Sequence, residues 1–115
     1  MKNLVVATFQ INIIPNNAAA NCAIIEEHIW NLGQPVDLIV LPELFNVGFH
    51  FSKESIEPKN FTTFKWMRRM AEVSQSVILG SILENEDGKI HNRCYIVHPN
   101  GTFVNYDKRH LFIKS

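Results

Sequence analysis

Apolar and polar positions alternate weakly over residues 3–13, and Leu4-Val5-Val6-Ala7-Thr8-Phe9 is rich in strand-forming side chains, so a strand is predicted there. Pro15-Asn16-Asn17 interrupts the pattern and supplies capping side chains for a helix start. The period then changes. Cys22, Ile25, Ile29 and Leu32 recur at helical spacing, with Glu26 and Glu27 on the wetter side and Gly33 as a stop. Residues 35–41 are short and continuously apolar, as in a strand of a sheet covered on one or both faces. Residues 46–63, with Gly48, Ser52, Ser55 and Pro58, read as a long loop. Phe64, Met67, Met70, Ala71 and Ser74 form a second helical stripe, and Lys65, Arg68, Arg69 and Glu72 lie outside it as a solvated face. The remainder predicts a β-meander: a strand over 76–83, a turn over 84–89 around Asp87-Gly88, a strand over 90–98, a two-residue hairpin at Asn100-Gly101 and a strand over 102–106. The predicted order, β-α-β-α-β-β-β, is that of an α/β domain without repeats or linkers.

Composition narrows the function classes. The chain is 115 residues long, one domain at most, with 46% hydrophobic and 19% charged residues, ordinary for a globular protein. Eleven basic side chains balance eleven acidic ones, so no overall field draws in nucleic acid or an anionic membrane. No apolar run approaches the ~18 residues of a membrane span. Gln10 and Asn12 break the opening run too early for a signal peptide, and a cytoplasmic protein is expected. Cys22 and Cys94 both fall in apolar-periodic segments and are expected to be reduced, buried thiols. The five histidines match no metal-ligand spacing and the glycines form no phosphate-binding loop, so no metal or cofactor is expected.

Candidate chemistry sits at two strand ends. In Leu38-Ile39-Val40-Leu41-Pro42-Glu43 an apolar run breaks at proline and then presents a carboxylate. Lys108, after the last strand-like run, offers the complementary cation. Brought together, the two could act as general base and oxyanion stabiliser in attack on an amide carbonyl. The competing reading is a partly buried ion pair without catalytic meaning. A nucleophile is missing from the pattern. Cys22 belongs to the apolar stripe of the first helix, and His98 lies ~13 Å along the strand from Cys94, too far for a dyad. Phe45 and Phe49, crowded behind Glu43, are candidates for lining a pocket, with core packing as the alternative. His110 is a further candidate, either bordering the site or orienting its loop.

Leu4 to Gln10, Asn21, Asp37 to Glu43, the Val77 to Ser81 strand with Gly80, and Tyr106 to Phe112 together resemble the nitrilase, or carbon–nitrogen hydrolase, superfamily. Glu43 to Phe49 is most similar to its ω-amidase branch, which hydrolyses small amides of dicarboxylates. The resemblance implies the first half of a four-layer α-β-β-α sandwich, with residues 1–115 forming a partial domain. It implies a Glu-Lys-Cys mechanism in which Glu43 is the acid–base and Lys108 the oxyanion stabiliser. The family's nucleophilic cysteine, which comes after the lysine, has no counterpart here, so the chain is expected to be truncated and inactive alone. The implied partners are a small amide substrate and either the second-half polypeptide or further copies of this chain. The alternative is a non-catalytic α/β binding or interaction module derived from the same fold.

Overall fold

The computed structural model describes residues 3–108. In chain order its elements are β1 (Val6–Thr8), α1 (Ala18–Trp30), β2 (Leu38–Val40), β3 (Glu57–Pro58), α2 (Thr62–Ser74), β4 (Val77–Glu86), β5 (Lys89–Val97) and β6 (Phe103–Asp107), with a 3-10 turn at Lys53–Ser55. The strands form one mixed sheet in the order β1-β2-β4-β5-β6, and β3 joins the far end of β4. β1, β2 and β4 run parallel, whereas β4, β5 and β6 form an antiparallel meander. This is a mixed α/β fold, and it is a fragment of the larger sandwich.

Register decides which side chains meet. Ala7, Ile39, Ile78 and Val97 line up across the sheet on one face. Cys22, Ile25 and Ile29 of α1 and Phe64, Met67, Met70 and Ala71 of α2 pack onto that face in one core. Each fully buried side chain of this size contributes ~1.5–3 kcal/mol. Asn17 caps α1 by accepting a hydrogen bond from the Ala20 amide at 3.0 Å. α2 ends at Gln75 in the left-handed conformation, φ 53°. Gly80 sits where the core is tightest. A methyl group there would lie 3.0 Å from the Phe45 ring and 3.3 Å from Leu41 and Met67.

The opposite face carries Val6, Leu38 and Val77 in one row and Thr8, Val40, Leu79, Ile96 and Val104 in the next. No described helix packs against these rows, and Val6, Val104 and Tyr106 are exposed.

Several boundaries differ from the sequence reading, each for a local reason. The opening strand shrinks to three residues because β2 offers it only three partners. Beyond it, the backbone of Ile14 pairs with the Asn21 side chain instead of a strand. The expected turn at 84–89 is mostly strand. Asp87 and Gly88 both adopt positive φ, the geometry of a two-residue hairpin that matches strand twist, so the ladder runs up to Glu86 and Lys89. The second hairpin has three loop residues rather than two. His98 pairs with Thr102, and Pro99 and Asn100 make a turn closed by Gly101 at φ 91°. The long loop contains the 3-10 turn and β3.

Candidate active site

Glu43 is positioned by a turn held by side-chain to backbone bonds together with a few backbone pairs. β2 stops at Val40, the Leu41 amide makes a last bond to Leu79 O at 2.8 Å, and Pro42 ends the pairing. The chain then folds over the edge of β4, with the Leu44 amide donating to Ser81 Oγ at 3.0 Å. Asn46, fully buried, takes the place of a strand residue. Its Nδ2 donates to Leu83 O at 3.0 Å and its Oδ1 accepts from Leu83 N at 3.2 Å. Asn21, also fully buried, holds the turn from the other side by donating to Asn46 O at 3.0 Å. Leu44, Val47, Ile56 and Leu83 close a small apolar cluster around it. Leu44 adopts φ 51°, a conformation costly for a leucine, and this web of bonds holds it there.

Lys108 reaches the site from the end of β6. Its amide donates to Asn92 O at 2.8 Å, extending the β5–β6 ladder by one residue. Side chains alternate, so Asp107 points to the helix-covered face and Lys108 to the open one. There Lys108 Nζ meets Glu43 Oε1 at 2.8 Å. Glu43 is 41% and Lys108 32% exposed, so in this half-wet setting the pair is worth little to stability. The Glu43 carboxylate nevertheless holds the Lys108 ammonium above the usual lysine range. The ammonium therefore stays charged throughout the neutral range.

The other predicted residues scatter. Phe45 is fully buried beneath the turn, its ring 5.7 Å from that of Trp66, in the main core. Phe49 comes after the turn and is half exposed. His110 lies outside the described residues. Both cysteines are buried and free. Burial, reinforced by Glu57 and Glu26, pushes the Cys22 thiol up to about 12, so it is neutral and inert at physiological pH. Cys94 is the cross-strand partner of Tyr106, and their contact raises the tyrosine hydroxyl above its usual range. By register Cys94 shares the open face with Asn92 and Lys108. The Oδ1 of Asn92 is buried with no hydrogen-bond partner among the described residues.

Sequence reasoning missed a cluster behind the site, in which Arg93 binds Glu84, Glu86 and Asp107. Reading residues 84–89 as a turn hid it, because that reading removes Glu84 and Glu86 from the strand that faces Arg93. A groove of about 620 Å³ lies on the helical side between α1 and α2, against Ala19, Cys22, Phe61 and Trp66. Neither Glu43 nor Lys108 lines it. Among the described residues no group of side chains could hold a metal ion, and no helix is long and apolar enough to cross a membrane.

The omega-amidase YafV of Yersinia enterocolitica is 39% identical over 80 residues, covering 69% of this chain and 31% of that protein. The human omega-amidase NIT2 is 32% identical over 105 residues, covering 88% of this chain and 37% of that protein. The chain thus spans well under half the length of these curated relatives. A CN-hydrolase superfamily protein from Xanthomonas campestris, solved with an arsenic adduct in its active site, superposes with a TM-score of 0.85 at 30% identity. That match covers 96% of this chain and 42% of the solved one. The carbon–nitrogen hydrolase pattern matches residues 5–115, and with the opening strand, the Glu43 turn and the Lys108 strand all inside that span, the chain belongs to the carbon–nitrogen hydrolase family.

Proposed function

We propose that Glu43 and Lys108 are the acid–base and the oxyanion-binding group of an amide-hydrolysing site of ω-amidase type. The observation that carries this reading is the 2.8 Å contact between Lys108 Nζ and Glu43 Oε1, made by two strand ends of a carbon–nitrogen hydrolase chain. The nucleophile is a cysteine thiol contributed from outside these 115 residues. Glu43 takes the thiol proton as sulfur adds to the amide carbonyl, and the Lys108 ammonium stabilises the tetrahedral oxyanion. The intermediate collapses as Glu43 returns the proton to the departing ammonia, leaving a thioester. Glu43 then deprotonates water, which releases the carboxylic acid and restores the thiol. Phe49, half exposed in the segment after the acid, is the apolar ring available to wall the substrate pocket, whereas Phe45 is fully buried in the core beneath the turn.

The half-exposed apolar rows of the sheet support a partner on that face, either the cysteine-bearing polypeptide or another copy of this chain. The substrate class is a small amide of a dicarboxylate, by likeness to the ω-amidases. Alone, the 115 residues do not turn such amides over. The test is reconstitution with the cysteine-bearing remainder of an ω-amidase relative, with ammonia release as the readout. Lys108→Met should lower kcat by about 10²–10³-fold, the scale of losing one oxyanion-binding group, and Glu43→Gln by about 10²–10⁴-fold, the scale of losing a general acid–base. Reconstituted activity indifferent to both changes would instead favour a non-catalytic module.

A further inference from the structure

Behind the Lys108–Glu43 contact, on the helix-covered face, lies a charge cluster that no step of the proposed hydrolysis uses. Arg93 is 4% exposed. Its Nε donates to Asp107 Oδ1 at 2.6 Å and its Nη2 to Asp107 Oδ2 at 3.2 Å. Nη2 also donates to Glu86 Oε1 at 2.8 Å, and Nη1 to Glu84 Oε1 at 3.1 Å. Glu84, itself 1% exposed, further accepts from the Tyr95 hydroxyl at 2.5 Å and from the Asn60 amide at 3.0 Å. His91 Nδ1 stands 3.1 Å from Asp107 Oδ2.

Stability alone is a weak reason for such a cluster, because apolar side chains of similar volume often hold a sheet as well as a buried ion network does. What a guanidinium fork adds is orientation, since its two parallel bonds fix a carboxylate in angle as well as distance. The carboxylate so fixed belongs to Asp107, the last residue of β6, a strand whose five residues are all exposed and which, among the described residues, is paired on one side only. Lys108 is next. Holding Asp107 on the covered face, with the Lys108 amide bonded to Asn92 O, directs the Lys108 side chain toward Glu43.

We propose that Arg93 is a positioning residue for Lys108, acting through Asp107. Its meaning for hydrolysis rests on reading Lys108 as the oxyanion-binding group, whereas the mechanical coupling does not. A carbodiimide reads the coupling without turnover, because it condenses a touching lysine and glutamate into an isopeptide, the water lost converting the reagent to a urea. The yield of the Lys108–Glu43 cross-link is measured by mass spectrometry in the unaltered chain, in Asp107→Ala, in Asp107→Asn and in Glu86→Gln. The Lys59–Glu86 pair, 3.5 Å apart, serves as internal control in the Asp107 variants. Asp107→Ala should lower the Lys108–Glu43 yield by at least about tenfold, the worth of a charge-assisted bond, while the control cross-link persists. Asp107→Asn should lower it less, since its amide oxygen still accepts one bond from Arg93. Glu86→Gln, which also removes a partner of Arg93 but not one on β6, should lower the melting temperature and leave the yield unchanged. An unchanged yield in both Asp107 variants would overturn the proposal, as would an equal fall in Glu86→Gln. If Asp107→Ala does not fold, Asp107→Asn decides alone, and no fall there overturns it.

Discussion

Replacing Asn46 by alanine should be among the most damaging single changes outside the apolar core. Its side chain makes two bonds to one residue, at 3.0 Å to Leu83 O and 3.2 Å from Leu83 N, and is fully buried. Alanine would leave both backbone groups of Leu83 without partners in a place water cannot reach. Each stranded group costs about 1–3 kcal/mol, so a loss of roughly 2–5 kcal/mol is expected, after allowing for some relaxation. Against a total stability of ~5–15 kcal/mol this is a large fraction. It corresponds to a fall in melting temperature on the order of 10 °C or more. Thermal and urea unfolding of the chain provide the assay. Asn46→Asp sharpens it. A protonated carboxyl can both donate to Leu83 O and accept from Leu83 N, whereas the ionised form would be buried and face a carbonyl. The folded state should therefore hold that carboxyl protonated, well above the ordinary value of about 4. Its penalty relative to the unaltered chain should grow as pH rises from about 4, where the unfolded chain begins to ionise. A loss below about 0.5 kcal/mol in Asn46→Ala, with no pH trend in Asn46→Asp, would show that Leu83 finds other partners and that the turn is held by apolar contact alone.

Gly80→Ala should destabilise by about 1–3 kcal/mol, because its methyl group would press on the Phe45 ring, and thermal unfolding checks it. The exposed apolar rows should make the isolated chain self-associate; Val6→Lys and Val104→Lys should lower its apparent mass in sedimentation, and a concentration-independent monomer would refute the expectation. Arg93 holds the carboxyls of Asp107 and Glu86 below their usual range. Their contribution is present above the unfolded value near pH 4 and is lost as pH falls through the depressed folded values, so urea midpoints should drop below about pH 4 and drop less in Asp107→Asn.

Much of this arrangement is legible in the chain because it is local. The stripe of Cys22, Ile25 and Ile29 and that of Phe64, Met67 and Met70 carry their period openly, and both helices pack those stripes inward. Pro42 before Glu43 marks the end of a strand in any context, and Lys108 comes directly after β6 as the alternation predicts. What escapes a linear reading is set by partners distant in sequence. Nothing around Asn46 announces that its amide pairs with Leu83, and β3 owes its existence to the far end of β4. The fate of Phe45 depends on Gly80, whose missing side chain makes room for the ring in the core. Arg93 gains its meaning only because β4 is long enough to bring Glu84 and Glu86 beside it.

The bond between Leu83 N and Asn46 Oδ1 gives the chain a built-in reporter. Most strand amides exchange with solvent only when the sheet itself opens, yet this one, in the middle of β4, is shielded by a side chain of the Glu43 turn. Its rate of deuterium uptake therefore measures how often the turn lifts away, while neighbouring amides bonded to β5 measure opening of the sheet. A difference between the two rates separates mobility of the acid-bearing turn from mobility of the scaffold, within one strand and without any engineered probe.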